Sequence, residues 1–318
     1  TNYVMPIPHR KGGINWSDLD VSAKFKAHNV KYTGGRMSGI VDRFSAKEKC
    51  GYEIKSLTGR ARVGMGKATI EKIHLIDEWS NLKAPLYSMG WNNVKYDFHD
   101  FLNKIRQELI IDSGTLSAHS IHAFADIPDV DITLQMGKSH AKGYLSDMKI
   151  ERLRFTEPLS GIKGDVSAIL TGIPDIQNLL TDAKINNLTF TTKGLQRLLK
   201  HIGIKAKLST IAPTRVFSFS AKAKGPLNRL DVTGNLGSRI GRAKFRMAIR
   251  DLSNPKRPTY LKGTLSTRNL GLGELLSQKA LGDCTAETGF RATLGKKGPS
   301  IILDSLLVDK LGVNGYEY

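Results

Sequence analysis

The chain has 318 residues, with 48 Lys plus Arg against 29 Asp plus Glu and a formal net charge of +19. Hydrophobic residues make up 40 % but aromatic residues only 7 %, which is lean for a core filled solely by the chain's own side chains. No run of ~18 apolar residues offers a membrane-spanning helix, two cysteines exclude a disulfide framework, and the first residues lack a signal-peptide pattern.

In chain order, residues 1–16 read as a loop broken by Pro6, Pro8, Gly12 and Gly13. Residues 19–28 alternate, with Leu19, Val21, Ala23, Phe25 and Ala27 against Asp20, Ser22, Lys24, Lys26 and His28. A period of two marks a strand with one covered and one wet face. After a turn at Gly34 and Gly35, residues 37–44, 52–65 and 69–76 read as further strands. The second of these carries Leu57, Gly59, Ala61, Val63 and Met65 on one side. The spacing of strands and turns predicts an antiparallel meander.

Residues 98–109 change period. Phe98, Phe101, Leu102, Ile105 and Leu109 fall at helical spacing behind Asp97 as a candidate N-cap. Residues 115–124, 132–136 and 142–155 return to strand. Short helices are predicted over 173–181, 192–202 and 272–281, with Thr192 as a cap of the second.

The alternation is clearest from residue 204 onward. Strands are predicted over 204–211, 215–225, 229–236, 242–250, 260–267 and 284–294. Ala243, Phe245, Met247 and Ile249 share one face, and Arg242, Lys244, Arg246 and Arg250 the other. Phe217, Phe219 and Ala221 repeat the pattern against Ser218, Ser220 and Lys222, and so do Leu230, Val232 and Leu236. An apolar run follows at 301–308. One internal echo, SIHAFADIPDV at 120–130 and VSAILTGIPDI at 166–176, has an offset of about 46 residues, in the range of repeat architectures.

Catalytic and metal motifs are missing. His119 and His122 are three apart, which in a strand puts them on opposite faces and away from a shared ion. Asp126, Asp129 and Asp131 lack the Gly and distal Glu of a calcium loop and read as a turn. No three-glycine dinucleotide fingerprint, P-loop or nucleophile elbow occurs, so the reading is a non-enzyme with no cofactor and no metal. The positive charge favours anionic partners or simply keeps an outer face wet. Nucleic acid is disfavoured, because Phe217, Phe219 and Phe245 lie on the face that lacks the cations.

An apolar sheet face must be covered by a second sheet, by barrel closure or by a ligand. Small residues recur on these faces, among them Ala61, Ala221, Gly234, Ala243 and Ala292, and they leave room. Alternation alone permits either an ordinary sandwich or an open trough.

Four stretches together resemble the TamB/AsmA-like family, particularly its Bacteroidetes form. They are VKYTGGRMSGI at 30–40, EKCGYEIKSLTG at 48–59, GIPDI at 172–176 and NLGLGELL at 269–276. Cys50 stands where a Ser or similar small residue is usual. The resemblance implies a repeating β-groove fold: an elongated, curved antiparallel sheet, U-shaped in section, with a hydrophobic groove and a few short helices. It further implies a module that shields phospholipid acyl chains between inner and outer membranes, in the periplasm. The full-length protein would carry an inner-membrane anchor and meet an outer-membrane β-barrel assembly partner, and this chain reads as a piece of it. The groove region spans 17–318, with sub-repeats near 17–112, 113–203 and 204–318. Tail-contacting candidates are Val21, Phe25, Leu57, Ala61, Val63, Phe217, Phe219, Ala221, Leu230, Val232, Ala243, Phe245, Met247, Ile249, Leu265 and Phe290. The alternatives are a scaffold that offers sheet edges to barrel strands by β-augmentation and a basic nucleic-acid-binding sheet.

Overall fold

The hairpin of β1 (Val21–Thr33) and β2 (Arg36–Glu48) turns at Gly34 and Gly35, both in the left-handed region that glycine adopts without a Cβ clash. β3 (Glu53–Gly64), β4 (Lys67–Asp77) and β5 (Asn81–Gly90) continue the meander, each antiparallel to the last. A computed structural model describes residues 13–14, 20–124, 130–173, 179–201, 214–252, 257–276, 278–295 and 298–318. Two compact units divide the chain: residues 1–157 with 169–176, and residues 158–168 with 177–318. The predicted loop at 1–16, apart from Gly13 and Ile14, and the predicted strand at 204–211 lie outside the described residues.

In the first unit, the segment after β5 departs from the expected helix over 98–109. The helical part is short: α1 (Val94–Asp97), a 3-10 turn at Phe98–Asp100 and α2 (Phe101–Lys104). Asn93, not Asp97, is the N-cap; its side chain accepts the amides of Lys95 and Tyr96. Asp97 instead accepts the amides of Asn92 and Asn93 at 2.6 and 2.8 Å, and these two bonds hold its carboxyl below the ordinary range. From Arg106 the chain is strand, β6 (Arg106–Ile111), because this stretch finds ladder partners on both sides and pairing outweighs helical spacing.

β7 (Ser113–Ser117) follows, and then the expected strand over 115–124 gives way to α3 (Ala118–Phe124). The fully buried Ser117 hydroxyl accepts the His119 amide, as an N-cap does. β8 (Thr133–Met136), β9 (Ser139–Tyr144) and β10 (Asp147–Glu157) close the unit. The run over 142–155 is therefore a hairpin rather than one strand. β6 and β7 share one edge of β5, and β8 and β9 share one edge of β10.

β11 (Ile162–Thr171) is divided between the units, and β12 (Leu180–Thr191) begins the main ladder of the second. Of the predicted helix at 173–181, residues 174–178 lie outside the described residues and Leu180 is already strand. α4 (Thr192–His201) matches its prediction, except that the Thr191 hydroxyl serves as the cap, accepting the Gly194 amide at 3.0 Å. The ladder then runs through β13 (Val216–Pro226), β14 (Arg229–Ser238), β15 (Gly241–Arg250) and β16 (Thr259–Gly271). After the one-turn α5 (Leu272–Leu276) come β17 (Leu281–Gly295), β18 (Gly298–Val313) and β19 (Tyr316–Glu317). The helix predicted over 272–281 is shorter because Leu281 already pairs with Val313. Consecutive strands from β12 to β19 are hydrogen-bonded antiparallel neighbours.

The two halves of the internal echo take different forms. Residues 120–124 are helical in α3, while residues 166–171 lie in β11. They are not two copies of one structural repeat.

Candidate functional site

Register decides whether alternating strands add up to a surface, since a slip of one residue turns every side chain over. In the second unit the apolar residues stay on one side of the ladder from β13 to β18, bulges included. Phe219 opposes Leu236, which opposes Ala243, then Thr267, Ala286 and Val308. The next row is Ala221, Gly234, Phe245, Leu265, Thr288 and Leu306. A third is Ala223, Val232, Met247, Gly263, Phe290 and Leu303, and a fourth joins Leu230, Ile249, Leu261, Ala292 and Ile301. All eleven sequence-predicted residues of this unit lie on that one face: Phe217, Phe219, Ala221, Leu230, Val232, Ala243, Phe245, Met247, Ile249, Leu265 and Phe290.

Aromatic rings tile part of it. Phe219 and Phe245 stack at 5.7 Å between centroids, and Phe190 and Phe217 at 5.5 Å. The first stack depends on Gly234, over which the Phe245 ring lies. A Cβ there would sit 2.5 Å from the ring tip and 2.6 Å from the Ser220 carbonyl oxygen. Phe217, Ala221 and Leu230 are buried, whereas Phe219, Phe245, Met247 and Ile249 are half-buried.

Among the described residues of this unit, no element makes close backbone contact across the face. The elements in substantial contact are ladder neighbours, together with α4 against β12 and α5 against β17. Arg215 pairs with Glu274, tying the start of β13 to α5. Burial at Cys284 raises its thiol pKa, and both cysteines are free.

The first unit carries a smaller version of the same surface. Phe25 opposes Phe44, Phe44 opposes Leu57, and Leu75 and Leu82 continue the row. Ala61 lies between Gly39 and Ile70, and Val63 between Met37 and Ala68. Val21 and Phe25 are exposed, because among the described pairings β1 has a ladder partner only in β2. At one end, Ile14, Tyr52 and Ala123 form a small buried cluster. There Phe124 meets Tyr52 edge-on, and the Tyr52 hydroxyl donates to Asp77 at 3.0 Å.

His119 and His122 sit one turn apart on α3, so they do not point to opposite faces of a strand. His119 packs beside the Trp79 ring and approaches Asp131 at 3.9 Å. Asp126 and Asp129 lie outside the described residues. Among the described residues no cluster of three or more His, Cys, Asp or Glu side chains is arranged for a metal ion.

Several face residues escaped sequence reasoning. Ile185, Leu188 and Phe190 of β12 join the rows through Ala221, Phe219 and Phe217. A bulge between Ile185 and Leu188 shifts the alternation by one and hides the strand's period. A further bulge at Asp304 lets Ile301, Leu303, Leu306 and Val308 stay on the same face, and another follows at Asp309. An alternation search that allows one extra residue would find both strands.

No family model, curated protein or solved structure matches the chain.

Proposed function

We propose that this chain is a lipid-binding module whose apolar sheet faces shield phospholipid acyl chains on their way between two membranes. The observation that carries the reading is the set of in-register apolar rows in the second unit, with no described element of that unit in close backbone contact across them. Acyl tails supply the missing apolar partner. Exposing one tail of ~14 carbons to water costs ~11 kcal/mol at ~0.8 kcal/mol per methylene. A sheet that covers the tail removes most of that cost without a nucleophile, metal or cofactor. The resemblance to TamB/AsmA-like proteins points the same way, to a periplasmic setting and an inner-membrane anchor on the full-length protein.

The test is chemical. A photo-crosslinking residue in place of Phe245 captures phospholipid, identified by mass spectrometry of the purified protein. Ala221→Trp and Ala243→Arg, placed on the same face, abolish capture while circular dichroism stays unchanged. Protein that purifies free of phospholipid and crosslinks none sinks the reading.

A second reading rests on β18. Its residues 300–309 are exposed, and among the described residues its outer edge is paired only over Leu311–Val313, with the chain's last residues. Such an edge accepts an incoming strand, as a scaffold for outer-membrane β-barrel assembly would. Capture of a β-hairpin peptide by β18, without any lipid capture, selects it over the first.

A further inference from the structure

The face opposite the apolar rows has a surface of its own in the second unit. There Lys184 directly opposes Lys222, Lys222 opposes Thr233, and Thr233 opposes Arg246; Lys244 lies two residues from Arg246 on the same strand. Neighbouring strands are ~4.8 Å apart, so these cations crowd together. Like charges set directly across a ladder destabilise it. None of the four pairs with a carboxylate among the described residues. Their neighbours do: Lys224 with Asp182 at 3.6 Å, Arg250 with Asp231 at 3.7 Å, and Arg291 with Asp304 at 2.6 Å. These pairs neutralise part of the surrounding face, while the four central cations keep their charge uncompensated.

The same four side chains, with Thr233, Asn235 and Ser266 between them, line an open crevice of ≈ 640 Å³. It combines uncompensated positive charge with neutral hydrogen-bond donors, the donor set that phosphate oxygens require. The cations are spread over three strands rather than converging on one point, which suits a layer of phosphates better than a single chelated ion. Phe245 also borders the crevice, but its ring is engaged in the stack with Phe219 on the apolar rows rather than set between the cations. Stacking of nucleic-acid bases beside the cations is therefore not provided for.

We propose that this basic face docks on a layer of anionic phospholipid headgroups. It goes beyond the tail-shielding reading, because it uses the other side of the sheet and polar chemistry. Headgroup attraction would relieve the repulsion between Lys184 and Lys222 that the ladder otherwise bears.

Flotation of the full chain with vesicles tests it. Phosphatidylglycerol vesicles are expected to bind the protein and phosphatidylcholine vesicles to leave it free, with binding lost at high salt. The triple variant Lys184→Gln, Lys222→Gln, Arg246→Gln is expected to bind phosphatidylglycerol about 100-fold more weakly. A control of equal charge change in the same unit, Lys193→Gln, Lys200→Gln, Lys279→Gln, retains most of the binding. Equal loss in both triples overturns the assignment, because net charge alone then accounts for attachment. Equal binding to both lipids overturns it too, and so does a single-stranded oligonucleotide that binds more tightly than the vesicles and displaces them. Tail crosslinking at position 245 is scored separately. Its failure with retained, charge-dependent flotation removes only the tail-shielding reading.

Discussion

Gly234 shows how one absent side chain shapes the apolar face. A Gly→Ala change in a strand ordinarily stabilises by limiting the unfolded chain, by about 0.4–1 kcal/mol. Here the new Cβ would meet the Ser220 carbonyl oxygen at 2.6 Å, and backbone cannot swing aside. The sign therefore reverses: Gly234→Ala is expected to destabilise by about 1–3 kcal/mol in denaturant titration and to unstack Phe245 from Phe219. A second residue-scale consequence concerns acid. In the first unit, Glu151 is held at about 2, first by Lys142 at 2.7 Å and then by Lys149 at 3.2 Å, with His140 at 2.7 Å on its other oxygen. A carboxyl whose folded pKa is depressed contributes stability that is full above its unfolded value and is lost as pH falls through the folded one. Thermal melts are expected to show a loss between about pH 5 and about pH 2 that Glu151→Gln makes shallower. An unchanged acid limb in that variant would show that the network carries no stability.

At the scale of elements, β18 stands apart from the other strands. Ile301, Leu303, Leu306 and Leu307 are each more than half exposed, and for most of its length one edge lacks a described partner. Natural sheets guard such edges with charge, proline or bulges. Its two bulges at Asp304 and Asp309 are guards of this kind, and Asp304 is already engaged by Arg291. The remaining apolar side chains outnumber them, so concentration-dependent self-association through this edge is expected. Leu303→Lys with Leu306→Lys is predicted to leave a monomer in sedimentation velocity. Persistent association in the double variant would place the contact elsewhere. β12 teaches a related lesson, since its bulge keeps Ile185 and Phe190 on one face while breaking the written alternation.

For the molecule as a whole, each unit is held by ladder neighbours rather than by a filled interior. Among the described residues, only the side chains of Ile105 and Ser117 are fully buried. A ladder of this kind behaves as a one-dimensional array, in which each strand's stability comes from its two flanks. Amide exchange is therefore expected to be slowest in β14 and β15 and fastest in β18, most of whose outward amides lack a described partner strand. Uniform protection from β13 to β18 would show that a layer beyond the ladder contributes.

Reading residues in order was sufficient for the class of the fold and for most of the apolar face. From Phe217 to Phe290, period-two alternation placed eleven side chains on one surface, because strand geometry leaves a side chain only two directions. Local pattern failed where distant partners decided. Residues 106–111 have helical spacing but take ladder bonds from β5 and β9. Residues 118–124 look extended but follow a serine that caps a helix turn. The basic crevice was equally illegible in the linear chain, where Lys184 and Lys222 are far apart and only pairing sets one against the other. Alternation is written into each strand, whereas the sum of its faces is created by register between strands, which no single stretch contains.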